Sequence, residues 1–216
     1  DIQELPAPLG IAPEVPPPAK TIAPSDLGGD KALPGAEGDE SDVAKARGTA
    51  LHVLLEHLAP IAPDQRAEAG AVLTQALLAE ADLEAAHDLL PTVLADALNV
   101  LNSPAIAWIF APEALSEVPV TADLPGKGRM HGIIDRLVVT PEKITVVDYK
   151  TNRVVPDHVA HVPEGLLRQM GAYAAALEQI WPGRAIETGI LWTAQAQYMA
   201  LPHEIVTEAL GRATTS

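Results

Sequence analysis

The sequence predicts an α/β domain: a mixed sheet flanked by helices, with a helical part before it and a proline-rich lead before that. Three observations predict it. Residues 116–200 alternate short β-branched runs with a helical pattern. Residues 47–115 carry apolar residues at helical spacing. Residues 1–46 hold eight of the 20 prolines and five of the 15 glycines, with no helical or strand period. The 216 residues suffice for one domain with its own core plus an appendage.

Residues 1–46, with Pro16-Pro17-Pro18 and Gly28-Gly29, read as a linker or extended arm, partly polyproline II. Residues 47–216 read as the domain, 47–115 its helical part and 116–216 its core sheet and helices. Between Gly48 and Ala59, Leu51, Leu54, Leu55 and Leu58 mark an amphipathic helix. Further helices are expected near 64–80, 82–89 and 91–99, with Asp64 and Asp82 as N-caps. A strand is expected near 116–122. The runs Ile133–Val139 and Ile144–Val147 flank the turn candidate Thr140-Pro141-Glu142-Lys143 and read as a β-hairpin. A helix should start near Pro163-Glu164 and run to about Ile180, before Pro182-Gly183. Strands near 187–193 and 197–200 and a short helix near 202–212 complete the chain.

The hairpin holds the most informative residues. If its loop is symmetric, of two or four residues, Asp135 lies directly opposite Asp148, with Cβ atoms about 5 Å apart. Strand alternation brings Lys150 out on the face of Asp148, roughly 6.6 Å further along. Two unpaired carboxylates this close raise each other's pKa. A divalent cation removes that penalty, and oxygen ligands of this kind suit Mg²⁺ or Mn²⁺. Such an ion polarises a phosphoryl oxygen or a bound water, while the lysine stabilises charge on a scissile phosphate or helps orient the attacking water. The competing reading of Asp-x-Lys is a solvated ion pair on an exposed strand. Strands this rich in Val and Ile are usually buried on both faces, however, and buried acids need a partner or a metal.

Two helices offer further candidates. His52 and Glu56 stand i and i+4 and share a face, although a histidine beside a leucine stripe is by itself more often a core residue than a ligand. Gln169 and Tyr173 are also i and i+4, so both can point at one place, or can equally be an ordinary surface glutamine and a half-buried tyrosine.

These residues together resemble a family. Gly132-Ile-Ile-Asp135-Arg136, then Val146-Val-Asp148-Tyr-Lys150-Thr-Asn152, is similar to the core of the PD-(D/E)XK nuclease superfamily, in particular its RecB-like branch. Gly48-Thr-Ala-Leu-His52 resembles that branch's Gly-x-x-x-His helix, Glu117-Val-Pro its glutamate-bearing first core strand, and Gln169-Met-Gly-Ala-Tyr173 its Gln-x-x-x-Tyr helix. The Ala-rich, acidic style is most similar to the C-terminal nuclease domain of AddA-type helicase–nucleases. The resemblance implies a restriction-endonuclease-like sheet and a Mg²⁺- or Mn²⁺-dependent deoxyribonuclease, an exonuclease in double-strand break repair and recombination. It implies Asp135, Asp148 and Lys150 as the catalytic residues, and His52, Asp135 and Asp148 as the metal ligands. Glu117, Gln169 and Tyr173 would support the site and the DNA backbone. The implied partners are single-stranded DNA or unwound duplex ends, a helicase domain of the same polypeptide and a second helicase–nuclease chain, in a bacterial cytoplasm. The alternative is a nuclease-like module that binds DNA or braces a helicase without cutting. A small-molecule metal hydrolase is a third reading, without a pocket signature.

Composition bounds these readings. There are no cysteines, which fits a reducing compartment and excludes cysteine-ligated metals and iron–sulfur clusters. No apolar run approaches the about 20 residues of a membrane span, and no signal peptide is visible. The start at Asp1 rather than Met suggests a piece of something larger. The net charge of −15 disfavours a freestanding DNA-binding domain. Residues 118–184 alone are not acidic, with eight bases against seven acids. There Lys127, Arg129, Arg136, Lys150, Arg153 and Arg168 are candidates for a basic track. Weak intrinsic affinity is what a module tethered to a motor would show.

Overall fold

The computed structural model describes residues 21–31, 41–80 and 86–213. Strands β1 (Thr21–Ile22), β2 (Leu115–Leu124), β3 (Gly128–Val139), β4 (Lys143–Lys150), β5 (Ala185–Trp192) and β6 (Gln197–Leu201) form one mixed sheet. Helices α1 (Ser41–Leu58), α2 (Arg66–Glu80) and α3 (Ala86–Leu101) precede β2, α4 (Glu164–Ile180) lies between β4 and β5, and α5 (His203–Gly211) follows β6. The fold is α/β, as the alternation in the sequence predicts.

The sheet order is β1-β3-β4-β5-β6, with β2 on β3. The β3–β4 hairpin pairs Arg136 with Val147 through Val139 with Ile144, which is the expected register. The Thr140 N–H donates to the Lys143 carbonyl at 2.9 Å, so Pro141 and Glu142 form a two-residue loop. β4 and β5 run parallel, Lys143 beside Ala185 through Lys150 beside Trp192. A parallel pair needs a crossover, and α4 supplies it. β2 and β3 make a second, longer hairpin, closed where the Lys127 N–H donates to the Leu124 carbonyl at 3.0 Å. It extends β3 five residues ahead of the expected start at Ile133.

Two cores lie on opposite faces. Ile144, Val146 and Ile190 face Leu166, Met170, Tyr173 and Leu177 of α4 and Val206 and Ala209 of α5. Val147, Tyr149 and Leu191 face Leu51, Leu54, Leu55 and Leu58 of α1 and Val93, Ala97 and Val100 of α3. Alternate residues of β4 therefore serve different cores, which is why the strand reads as a nearly continuous apolar run.

Several local expectations need correction. α1 begins at Ser41 rather than Gly48; buried Arg47 pairs with Asp96 of α3 at 2.7 Å and fixes the early turns. α2 begins at Arg66, where the Gln65 carbonyl accepts from the Ala69 N–H, so Asp64 precedes the helix and is not its N-cap. The two helices expected on either side of Pro91 are one, α3. An interior proline costs about 3 kcal/mol, and burial of Leu90, Val93, Ala97, Val100 and Leu101 at helical spacing outweighs it. Asp82, the other expected cap, lies outside the described residues.

The described part of the proline-rich lead packs on the sheet. Thr21 and Ile22 pair parallel to Arg129 and Met130, Pro24–Asp26 makes a 3-10 turn, and Leu27 is 1% exposed within the first core. Gly29 (φ +88°) meets the start of α4 backbone to backbone: a Cβ there would stand 2.8 Å from the Gly165 nitrogen. The Gly165 N–H donates to the Asp30 carbonyl at 2.8 Å.

No single helix among the described residues is long and apolar enough to cross a membrane. The apolar pair Leu90–Leu101 and Pro104–Phe110, bent by 92°, packs the second core.

Candidate active site

The site lies in a gap in the sheet. β2 occupies one edge of β3 along most of its length. The other edge is shared: β1 takes residues 129–130 and β4 takes 136–139. Residues 131–135 lie between the two pairings. Side chains fill the interval. The Tyr173 hydroxyl donates to the Ile133 carbonyl at 2.6 Å, and the Tyr149 N–H donates to the Asp135 carboxylate Oδ2 at 2.6 Å. Across β3, Glu117 of β2 departs from the strand at φ +49°, the left-handed region where a non-glycine residue is uncommon and is a frequent mark of a functional site.

This arrangement brings together the residues expected from the sequence. His52 on α1 points its Nδ1 at the Asp135 Oδ1, 3.6 Å away, and at the Glu117 Oε1, 3.8 Å away. Both distances exceed hydrogen-bond length. The ring packs edge-on against Tyr149, with centroids 5.4 Å apart. Ligand atoms of His52, Glu117 and Asp135 all lie within 4.8 Å of one another, a set able to hold a metal ion. Asp148, expected among the metal ligands, is engaged elsewhere: its Oδ1 accepts from the Gln169 amide at 2.6 Å, and its Oδ2 pairs with the Lys150 ammonium. Glu117, expected only to support the site, takes the third place in the cluster.

The electrostatics fit a cation. Burial, then the Asp148 charge, holds the Asp135 carboxyl well above the ordinary carboxylate range. Burial and the nearby Glu56 raise Glu117. Burial lowers the His52 imidazole, with Lys150 adding to it and Asp148 opposing it, so the ring is neutral and able to ligate at pH 7. Burial alone would lower the Lys150 ammonium, but the charge and hydrogen bond of Asp148 outweigh it and raise it, so the lysine is a charged donor rather than a base. Acids that resist ionisation beside a neutral imidazole are what a divalent ion would relieve.

Gln169 and Tyr173 touch protein rather than open space. Gln169 holds Asp148, and Tyr173, 3% exposed, holds the β3 backbone. Both therefore support the site, as the resemblance implies, by holding a carboxylate and the strand backbone. Glu56, left outside the expected site, lines an open cavity of about 380 Å³ with Gly48, His52 and Glu117. Its i, i+4 spacing from His52 was the available signal.

The expected basic track does not form. Buried Arg136 donates to the Ile109 carbonyl at 2.9 Å and to the Ser116 hydroxyl. Arg129 pairs with Asp123, Arg168 with Glu164, and Lys127 with the Ala213 carbonyl. Lys150 is held by Asp148, and Arg153 is exposed. An acidic chain retains most of these cations for its own carboxylates and carbonyls.

Comparison with known proteins supplies the lineage. A stretch of 62 residues, 29% of this chain, is 39% identical to one of the ATP-dependent helicase/nuclease subunits of Oenococcus oeni, and covers 5% of that protein's length. The mixed sheet flanked by helices is consistent with a restriction-endonuclease-like fold. The sequence model of the PD-(D/E)XK nuclease superfamily matches residues 28–214, nearly the whole described domain, and this chain therefore belongs to that superfamily.

Proposed function

We propose that this chain is the DNA-cleaving module of a helicase–nuclease and hydrolyses phosphodiester bonds with Mg²⁺ or Mn²⁺. The observation that carries the reading is the Asp148–Lys150 pair, oriented by Gln169 and held next to Asp135 in the gap of the sheet. His52, Glu117 and Asp135 are the residues that would hold the ion, with Asp148 beside them. A divalent ion bound there supplies a Lewis acid for a phosphoryl oxygen and lowers the pKa of a bound water.

The protein groups have separable tasks. The Tyr149 N–H fixes one oxygen of Asp135 and leaves the other facing His52. Gln169 fixes the Asp148 carboxylate, and Asp148 keeps the Lys150 ammonium charged and positioned. That ammonium is the group available to stabilise negative charge developing on the phosphate. Tyr173 holds the β3 backbone two residues before Asp135 and so preserves the gap.

By the resemblance to AddA-type helicase–nucleases, the module would act as an exonuclease on single-stranded or unwound duplex ends during double-strand break repair and recombination. It would work beside a helicase domain of the same polypeptide and a second helicase–nuclease chain, in the cytoplasm. A non-cutting, DNA-binding or bracing module is the second reading, favoured by the net charge of −15 and the internally committed cations. Lys150→Ala separates the two. It should abolish cleavage of linear DNA by the wild-type chain while leaving Mn²⁺ binding by calorimetry nearly intact. Cleavage at the wild-type rate by Lys150→Ala would remove the lysine from the chemistry, and no cleavage by the wild type would favour the second reading.

A further inference from the structure

The β2–β3 hairpin carries an apolar surface that neither core explains. Ile133 is 50% exposed, although its neighbours Ile134 and Val120 are 1% and 4% exposed. Pro119, directly opposite Ile133 in the ladder, is exposed as well. These two residues stand two positions from Asp135 and Glu117 respectively. The adjacent position, Gly132, faces the other way: a Cβ there would lie 2.6 Å from Pro24 and 3.0 Å from the Tyr173 ring. Ile133 therefore points away from the α4 core and into the open. The Tyr173 hydroxyl on its carbonyl fixes the backbone that presents it.

Two strand residues advance about 6.6 Å, close to the reach of one nucleotide. Ile133 and Pro119 thus lie within reach of a base attached to a phosphate held at Asp135. Apolar side chains pack against the face of a base that has left the stack. Arg136, Arg129 and Arg168 are paired with protein groups, which leaves Lys150 as the cation at the reacting phosphate and gives an apolar contact to the base room to add affinity.

Resting on the nuclease reading, we propose that Ile133 and Pro119 form a base-stacking ledge that takes the unpaired nucleobase next to the scissile phosphate, so that the site engages unwound strands in preference to duplex. A base inside a duplex must first be unstacked, at a cost, before it can lie there, and an unpaired base need not be.

The test measures affinity rather than cleavage. Fluorescence anisotropy of a labelled short oligothymidylate is followed with Mn²⁺ in the Lys150→Ala background of the full chain, so the probe is not consumed. Ile133→Ser should weaken binding about fivefold, in line with what covering a half-exposed aliphatic side chain contributes. Pro119→Ala should weaken it less. An abasic oligomer of the same length should bind more weakly than oligothymidylate, and Ile133→Ser should add no further loss to it. Duplex affinity should be unchanged. Both positions are exposed, so the fold should tolerate the changes, and circular dichroism checks this.

Equal oligothymidylate affinity with and without Ile133→Ser, or the same loss on the abasic oligomer, would overturn the ledge. If Lys150-intact protein cuts DNA while that equality holds, the nuclease reading stands and the ledge alone fails. If intact protein does not cut but Ile133→Ser loses affinity, the ledge stands and the nuclease reading fails. Absence of oligothymidylate binding altogether would overturn the ledge, while cleavage by the Lys150-intact protein judges the nuclease reading separately.

Discussion

Asp135→Asn should make the metal-free protein more stable and the metal-loaded protein less so. Asn retains an oxygen for the Tyr149 N–H, which reaches Asp135 at 2.6 Å, so the change removes charge and keeps the hydrogen bond. The Asp135 side chain is only 11% exposed, and burial followed by the Asp148 charge raises its carboxyl well above its ordinary value. Each unit of such a rise costs the ionised form about 1.4 kcal/mol. Relief of that penalty should raise Tm in EDTA at neutral pH, each kcal/mol being worth about 2–4 °C for a chain of this size. The sign follows from proton binding: the folded state holds the Asp135 proton at pH values where the unfolded chain has lost it. The wild type therefore loses stability as pH rises through the raised folded pKa, and regains it on acidification toward the unfolded value of about 3.9. The advantage of Asn should shrink as pH falls through that window. With Mn²⁺ at about 100 times its Kd, the wild type should gain about 2.7 kcal/mol and Asn little or nothing, which reverses the order. Differential scanning calorimetry in EDTA and in Mn²⁺, across pH, checks both signs. A mutant less stable than wild type in EDTA, or one gaining the same Mn²⁺ shift, would refute the assignment of Asp135 as a strained ligand.

His52→Ala should weaken Mn²⁺ more than Mg²⁺, because imidazole suits the softer ion; equal Mn²⁺ affinity by calorimetry would remove His52 from the ligand set. Gln169→Ala should leave Mn²⁺ affinity nearly unchanged but lower the cleavage rate, since it frees the carboxylate that positions Lys150; unchanged single-turnover rates would count against that role. Leu27→Ala should cost about 2.7–5 kcal/mol in urea unfolding, the range for a fully buried leucine. An effect within about 0.5 kcal/mol would mean that residues 21–31 are only a tether. Duplex binding by the isolated chain should stay in the non-specific range, about 10⁻⁴ M or weaker at physiological salt, and fusion to a translocating motor should raise cleavage through local concentration alone.

Periodicity and turn chemistry determined much of the molecule. The hairpin register was readable because β-branched runs and the turn Thr140–Lys143 allow a single symmetric pairing, and one slip would exchange the two faces. That register put Asp135, Asp148 and Lys150 in one neighbourhood, and the spacing in α1 and α4 pointed His52, Gln169 and Tyr173 toward it. What the sequence by itself left open was decided by contacts between elements far apart in the chain. α3 runs through Pro91 because burial against α1 outweighs a local penalty. The proline-rich lead acquires a place at residues 21–31 because Gly29 and Gly165 let two backbones meet, a pairing with no local pattern. The cations that composition offered to DNA turn inward to carboxylates and carbonyls that only folding brings near. Glu117 joins His52 and Asp135 because β2 kinks at a positive φ opposite the gap in β3. Sequence spacing fixes which residues share one element's face, whereas the distance between groups on different elements is set by the packing of the sheet and its helices.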